Sequence, residues 1–556
     1  MPKLQFVTRR QLLSLMAGPL ALASTGCTSL WRDSEEADRD ARLADLMQIP
    51  DPPEFIGDAA APFGMRPLEV DGVGAINSLP GTGGPADPSG YRDALIEEMK
   101  RHDVVDPNRF LESTETALVR VRATIPPGAQ RGDPLDIRIL APTESRASNL
   151  RHGWLLDTRL RQQQLIQNVV KQSEVLAIGV GPVLTRASHS PGEDESLKLE
   201  GNVLSGGRVQ VSRKLGLVLR PEFQHAKMAK LLSESINKRY FFFDGTTRRG
   251  IAKPLEDDYI EIDVHPRYRD NLQRMMNTIL SISGNAMASD TQKQLAELAE
   301  RLSDPTTSRD ASVKLEAMGE SAVPTLISGL NSDNAEIRFY AAEALAYLDR
   351  EEAIQPLQTA AREEPAFRYW ALLALQGMET YAALTSLQEL IDEPSLETRY
   401  GAFVAMRRRP DAKSVLTGNP VGPFFLYTMN SRSTPAVIVS LRESPEIVLM
   451  GATGTLQIPE FLRVGGLILK PNPGNSGEIR ISHFRLGKDD QQIQVPNDLA
   501  SVIRGIVQVG GSYGDVITVL RQAKNKEFLT DQLAIDPYPE KVRTYYRDDE
   551  EDADQE

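Results

Sequence analysis

The sequence holds a single cysteine, Cys27, in 556 residues. No intramolecular disulfide can form, and one thiol supplies neither a CxxC pair nor a Cys/His zinc set. Histidine is scarce as well: six residues, at 102, 152, 189, 225, 265 and 483, with no HExxH or HxH spacing among them, so no metal site is expected. Positive charge is in deficit, with 63 Lys and Arg against 77 Asp and Glu and a formal charge of −14. A basic face gripping nucleic acid phosphates is therefore not expected, and neither is a nucleic acid partner.

Catalytic signatures are missing too. There is no P-loop and no GxGxxG after a strand; Gly179-Val180-Gly181-Pro182 lacks the third glycine and places proline where a helix should open. Asp257 and Asp258 are adjacent, so in a strand they point to opposite faces and cannot share a proton. A surface turn suits them better, and His265 and His483 read as structural. No catalytic residue and no cofactor is expected.

What is present begins with an address. Lys3, Arg9 and Arg10 precede the short apolar run LLSLMAGPLALA, which is interrupted by Gly18 and Pro19. A bilayer span needs about 20 apolar residues, so residues 1–26 read as a signal peptide. Nothing later in the chain is long enough either. Thr8-Arg9-Arg10-Gln11-Leu12-Leu13 resembles the twin-arginine export signal. Leu22-Ala23-Ser24-Thr25-Gly26-Cys27 resembles a bacterial lipobox, with Ser24 where that pattern has Leu, and this resemblance implies lipid attachment at Cys27. Acyl chains would then hold the protein on a membrane, at about 0.8 kcal/mol per buried CH₂. Residue 28 is Thr rather than Asp, which favours the outer membrane. The other reading is an ordinary cleaved signal with an incidental cysteine.

At about 100 to 200 residues per domain the length asks for three or four units. Residues 27–60 are acidic and small-residue rich and read as a tether. Residues 61–285 alternate in short strands. Val119, Val121, Ala123 and Ile125 share one face, as do Leu135, Ile137 and Ile139, then Leu215, Leu217 and Leu219, then Ile260, Ile262 and Val264. Helices are predicted within 88–102, where Asp87 or Ser89 stands at the cap position, and within 221–240. Residues 286–412 are helical and repetitive: Arg338-Phe-Tyr-Ala, Arg368-Tyr-Trp-Ala and Arg399-Tyr-Gly-Ala recur at 30 and 31 residues (368 − 338, 399 − 368). Their partner helices recur in step, with Pro324 and Pro356 in two of them. These units resemble short HEAT-type repeats, which bury their apolar faces only by stacking. Phe339, Tyr340 and Trp370 therefore read as packing rather than a ligand cage. Residues 413–540 return to strands and close on a helical hairpin split at Gly510-Gly511. Residues 541–556 read as an acidic disordered tail. The fold class is α+β, strand-rich in two sequence segments with an inserted all-α solenoid.

The segments outside the repeats resemble the flagellar P-ring protein family. Gly72-Val73-Gly74 with Leu79-Pro80-Gly81-Thr82-Gly83 resembles the family's GYGLVVGLNGTGD opening. Residues 117–139, 175–183, 201–219, Pro221-Glu222-Phe223 and 498–535 resemble later family stretches in the same order. The chain departs from the family in its lipoprotein-like start and in the inserted repeats. The resemblance implies a structural subunit of the bacterial flagellar basal body, a periplasmic homo-oligomeric ring around the rod, with the rod and outer-membrane ring proteins as partners. Closure of a ring asks for two different surfaces of one subunit. The candidate contacts are Gly72, Gly74, Gly81, Gly83 and Asp515. The alternative is a lipid-anchored envelope scaffold whose array binds another protein, with Arg407, Arg408 and Arg409 as the candidate surface for an acidic partner.

Overall fold

The alternating segments form paired strands. The computed structural model describes residues 50–545 and 547, apart from 167–168, 191–193, 285–287, 417, 486 and 488. Seven strands make the first sheet: β1 (Leu68–Asn77), β2 (Ala117–Ile125), β3 (Pro134–Leu140), β4 (Trp154–Leu160), β5 (Ala177–Pro182), β6 (Leu184–Thr185) and β7 (Glu200–Val209). They lie in the order β3-β2-β1-β4-β5-β7-β6, and a further antiparallel pairing of β7 with β3 closes the sheet into a barrel. Val119, Val121, Ile125, Leu135, Ile137 and Ile139 fill it, while Arg122 and Thr124 face outward, as a period of two requires. Helix α1 (Gly90–Arg101) packs outside the barrel and is capped by Ser89, whose Oγ accepts from Arg92 N at 3.3 Å.

A smaller antiparallel sheet joins Ala60–Phe63, Leu215–Leu219, Tyr259–Ile262 and Ala252–Pro254. Helix α2 (Ala226–Arg239) covers it with Met228, Ala229, Leu232 and Ile236, the 3.6-residue spacing of a buried stripe. Helix α3 (Leu272–Leu280) follows.

The repeats form four helix pairs: α4 (Ala288–Leu302) with α5 (Ser308–Met318), α6 (Val323–Gly329) with α7 (Ala335–Tyr347), α8 (Ile354–Glu363) with α9 (Pro365–Gly377), and α10 (Tyr381–Glu389) with α11 (Leu396–Arg408). Pro324 and Pro356 lie in first turns, where the missing N–H has no helical acceptor to lose. Phe339 stacks on Phe367 at 4.4 Å between successive repeats, so the aromatics bind the array together. The repeated arginine has a job in each unit. Arg338 donates to Ser332 O and Asp333 O in the turn before its own helix, and Arg368 to Ala361 O and Arg362 O, orphan carbonyls where the preceding helix ends.

The array is not a separate bead. One continuous core runs from Leu215 and Ile260 of the small sheet through Leu315, Leu345 and Phe403 to Ile438 and Val448. At its centre Arg274 of α3 is buried between two carboxylates, Nε to Glu316 Oε2 at 2.8 Å and Nη1 to Glu343 Oε2 at 2.5 Å. Tyr268 donates to Glu316 at 2.5 Å and stacks on Tyr347 at 4.6 Å. Burial pushes the Glu343 carboxyl up, against the pull of Arg274.

After the array come a five-stranded mixed sheet and a four-stranded antiparallel sheet. The hairpin of α12 (Leu499–Gln508) and α13 (Tyr513–Asn525) packs on both. Gly510 takes φ +83 at its turn, as a helix C-terminus favours. Among the described residues no helix is long and apolar enough to cross a membrane.

Two boundaries differ from expectation. The end of the acidic stretch is folded: Ile56 and Ala59 are wholly buried, and Ala60–Phe63 pairs with Leu215–Leu219, because a few apolar residues are hidden in a polar average. Residues 541–545 and 547, expected as tail, lie on the array. Arg543 pairs with Glu397, Arg547 with Glu336, and Tyr545 stacks on Phe367; these cationic and aromatic residues interrupt the acidic run.

Candidate interaction surfaces

The glycines of the expected contact loop serve mainly to bring strands together. A Cβ on Gly72 would stand 2.5 Å from Arg159 O, and one on Gly74 2.3 Å from Thr158 Oγ1, so β1 lies against β4 only with glycine at both places. A Cβ on Gly83 would stand 2.1 Å from Thr116 O. Gly81 differs: φ is +76 with open space around it, which makes it the exposed turn residue of the four. Gly72 and Gly74 line a cleft of about 970 Å³ between α1 and the barrel, with half-exposed Trp154 at its wall. Glu98 holds Arg159 and His102 there, each at 3.4 Å.

Asp515 is internal, contrary to its assignment as a ring contact. It is 2% exposed and closes a capping box with Ser512 at the start of α13. It also accepts from Arg151 Nε at 3.1 Å, and His152 Nδ1 is 3.6 Å away. Burial pushes its carboxyl up, but His152, Arg151 and the Ser512 hydrogen bonds outweigh that and hold it below the usual carboxylate range. Asp515 thus ties the turn before β4 to the closing hairpin. Asp136 makes a second tie, accepting from Ser205 N and Glu443 N at 2.8 Å each.

The three arginines at 407–409 are likewise consumed within the chain, and present no free basic patch to an acidic partner. Arg407 faces Glu446 at 3.3 Å, and Arg408 pairs with Glu443. Arg409 is 3% exposed and donates to the carbonyls of Leu375, Met378 and Thr380 and to Asp411. The two carboxylates in the sheet segment, Glu446 and Glu443, lie 39 and 35 residues away in sequence (446 − 407, 443 − 408), which is why the charge run read as a surface open to an acidic partner.

The surface that sequence reasoning missed is the one under residues 538–545 and 547. Tyr538 packs edge-on against Tyr369 and Tyr400. Pro539 rests on Gly401, where a Cβ would stand 3.0 Å from its Cγ. Lys541 Nζ is 5.4 Å from the Tyr369 ring. The signal was in the sequence: Arg543, Tyr545 and Arg547 alternate, and Gly401 stands where the other repeats have Tyr340 and Trp370. A second cavity, about 1100 Å³, lies between the Phe241–Gly250 hairpin and the array, lined by Phe241, Phe243, His265, Arg267, Arg301 and Tyr347 among others. Cys27, Arg9 and Arg10 lie outside the described residues.

Residues 56–293, which contain the barrel and the small sheet, match the family model of the flagellar P-ring protein. Over this segment the chain is similar to the flagellar P-ring proteins. The P-ring protein of Thermotoga maritima is 25% identical over 236 residues, which cover 41% of this chain and 66% of that protein. The P-ring protein of Alteromonas mediterranea is 27% identical over 216 residues, covering 36% and 54%. The chain therefore spans between about half and two thirds of the length of these P-ring relatives. Residues 323–407 match the model of HEAT repeats, in agreement with the helical array. The closing hairpin lies outside the P-ring match. The CpcE and CpcF complex of phycocyanin lyase from Nostoc sp. PCC7120 is 24% identical over 23% of this chain and 85% of that one, with a TM-score of 0.19, too low to bear on the fold.

Proposed function

We propose that the chain is a structural, non-catalytic subunit of the bacterial flagellar basal body, which assembles with copies of itself into the periplasmic P ring around the rod. The observation that carries this reading is the P-ring match over 56–293, which coincides with a closed barrel and a small sheet. Twin-arginine export through Arg9 and Arg10, and a lipid anchor at Cys27 in the outer membrane, complete the reading. The rod and outer-membrane ring proteins are the neighbours it implies.

A ring needs two unlike surfaces that meet on closure. With Asp515 buried, contacts are better sought at the turn holding Gly81 and at the Phe241–Gly250 hairpin, where Phe243 is 65% exposed. Large exposed aromatics on a projecting element suit an interface core. The test is electron microscopy of hook-basal bodies from a deletion strain and from the same strain complemented. Loss of the P ring on deletion and its return on complementation support the reading; intact rings without the gene refute it.

A second reading, a scaffold whose array docks another envelope protein, is favoured by the HEAT match over 323–407 and by the face of the array that Tyr538, Arg543, Tyr545 and Arg547 cover.

A further inference from the structure

The last described residues lie across three successive repeats of the array. Glu336 is the second residue of α7, Phe367 the third of α9 and Glu397 the second of α11, so these three side chains stand in the first turn of the second helix of three successive units. The strap meets them in reverse order. Arg547 Nε and Nη2 reach Glu336 at 2.9 and 3.1 Å, Tyr545 stacks on Phe367 at 4.7 Å, and Arg543 Nη2 reaches Glu397 at 2.6 Å. Each repeat receives one side chain, and the strap advances two residues per repeat. Two extended residues cover about 7 Å and packed helices stand about 8–10 Å apart; the long arginine side chains take up the difference.

The seat is built into the array. Glu397 is already held in place by Arg368 Nη1 at 3.0 Å. Glu336 is 6% exposed and turned toward Arg547. Gly401 replaces the aromatic of the earlier repeats and leaves room for Pro539. The strap, by contrast, is held by side chains on one face, and Val542 within it is 90% exposed. We propose that this face of the array is a reading groove for an extended segment of a partner protein with arginine, an aromatic and arginine at alternate positions, and that residues 538–547 are its built-in cover. The partner has the opposite charge to the one that Arg407–Arg409 would have sought. The inference does not depend on ring assembly.

The test uses a fluorescein-labelled synthetic peptide with the sequence of residues 538–547 and the chain from residue 28, which omits Cys27. Fluorescence anisotropy compares the unaltered chain with one carrying Arg543→Glu and Arg547→Glu, which frees the groove without shortening the protein. A cover in place nine tenths of the time weakens peptide binding about tenfold, so the freed groove is expected to bind about tenfold or more tightly than the covered one. A peptide with glutamate at both arginine positions should not bind, a control that leaves the protein untouched. Adding Glu336→Lys and Glu397→Lys to the freed chain should abolish binding of the original peptide. Absence of saturable binding to the freed chain, or equal binding of the glutamate peptide, overturns the proposal. So does an unaltered chain whose dimeric mass by light scattering falls to monomer in the strap variant, because a second copy would then be the occupant.

Discussion

Arg399 Nη1 donates to the backbone carbonyl of Thr434 at 2.8 Å. Its counterparts Arg338 and Arg368 donate to carbonyls near the end of the helix before them. In the last repeat the same residue reaches out of the array instead and fastens it to the sheet segment that follows, with Ser431 Oγ as a second acceptor at 3.3 Å. A repeat motif has become a joint.

Arg399 is wholly buried, and its loss leaves the Thr434 carbonyl without its donor. Arg399→Ala should therefore cost about 3 kcal/mol, and Arg338→Ala at the more open position about 1 kcal/mol. Urea unfolding of the two variants beside the unaltered protein measures the difference; equal midpoints would remove the joint from the account.

Arg274 is the second joint. It sits between Glu316 and Glu343, all three buried. Removing the cation leaves two buried carboxylates without their counter-ion, which typically costs about 3–5 kcal/mol. Arg274→Met, which keeps most of the volume, should lower the unfolding midpoint more than Arg399→Ala does. Circular dichroism against denaturant reads this directly.

Acid should destabilise the fold through two histidines. Burial, then Arg186, lowers His189 to about 4, and burial, then Arg267, lowers His265 to about 4. His265 Nδ1 accepts from Arg267 N at 3.3 Å and Nε2 faces Phe241 O at 3.1 Å, an arrangement that only the neutral ring satisfies. The folded chain then binds fewer protons than the unfolded one between pH 6.5 and about 4, so stability falls as pH falls through that window, by up to about 3 kcal/mol for each group. Glu446 acts in the other direction. Burial raises it to about 6 against the pull of Arg407, so its protonation below pH 6 stabilises the fold by about 2 kcal/mol. Melting temperatures from pH 7.5 to 4.5 should drop overall. The drop should be shallower in His265→Asn and steeper in Glu446→Gln.

These joints show where the sequence was readable. The alternation of Val119, Val121 and Ile125 identifies a strand because side chains of a strand change face at every residue. The recurrence of Arg338, Arg368 and Arg399 identifies the array because stacked units reuse one local solution. Closure of the barrel was not legible, since β3 and β7 meet only through long-range pairing such as Ile137 with Val203. The same limit misplaced Asp515 and the arginines at 407–409. Asp515 did carry a local sign, Ser512-x-x-Asp515, the spacing of a helix cap. Arg407 and Arg408 carried none, because Glu443 and Glu446 lie across a sheet turn.

On the proposed lipid attachment at Cys27, Cys27→Ala should move the protein from the membrane fraction to the soluble periplasmic fraction. Fractionation followed by immunoblotting checks it, and continued attachment would refute lipidation at Cys27.

The central claim is that copies of this chain close the P ring. Electron microscopy of the native protein, extracted in detergent and purified without crosslinking, tests it most directly. Closed rings of uniform diameter, whose density places the barrel and small sheet of neighbouring subunits in contact, are the predicted result. A uniform population of monomers, with complete P rings still present in basal bodies from the deletion strain, would contradict it.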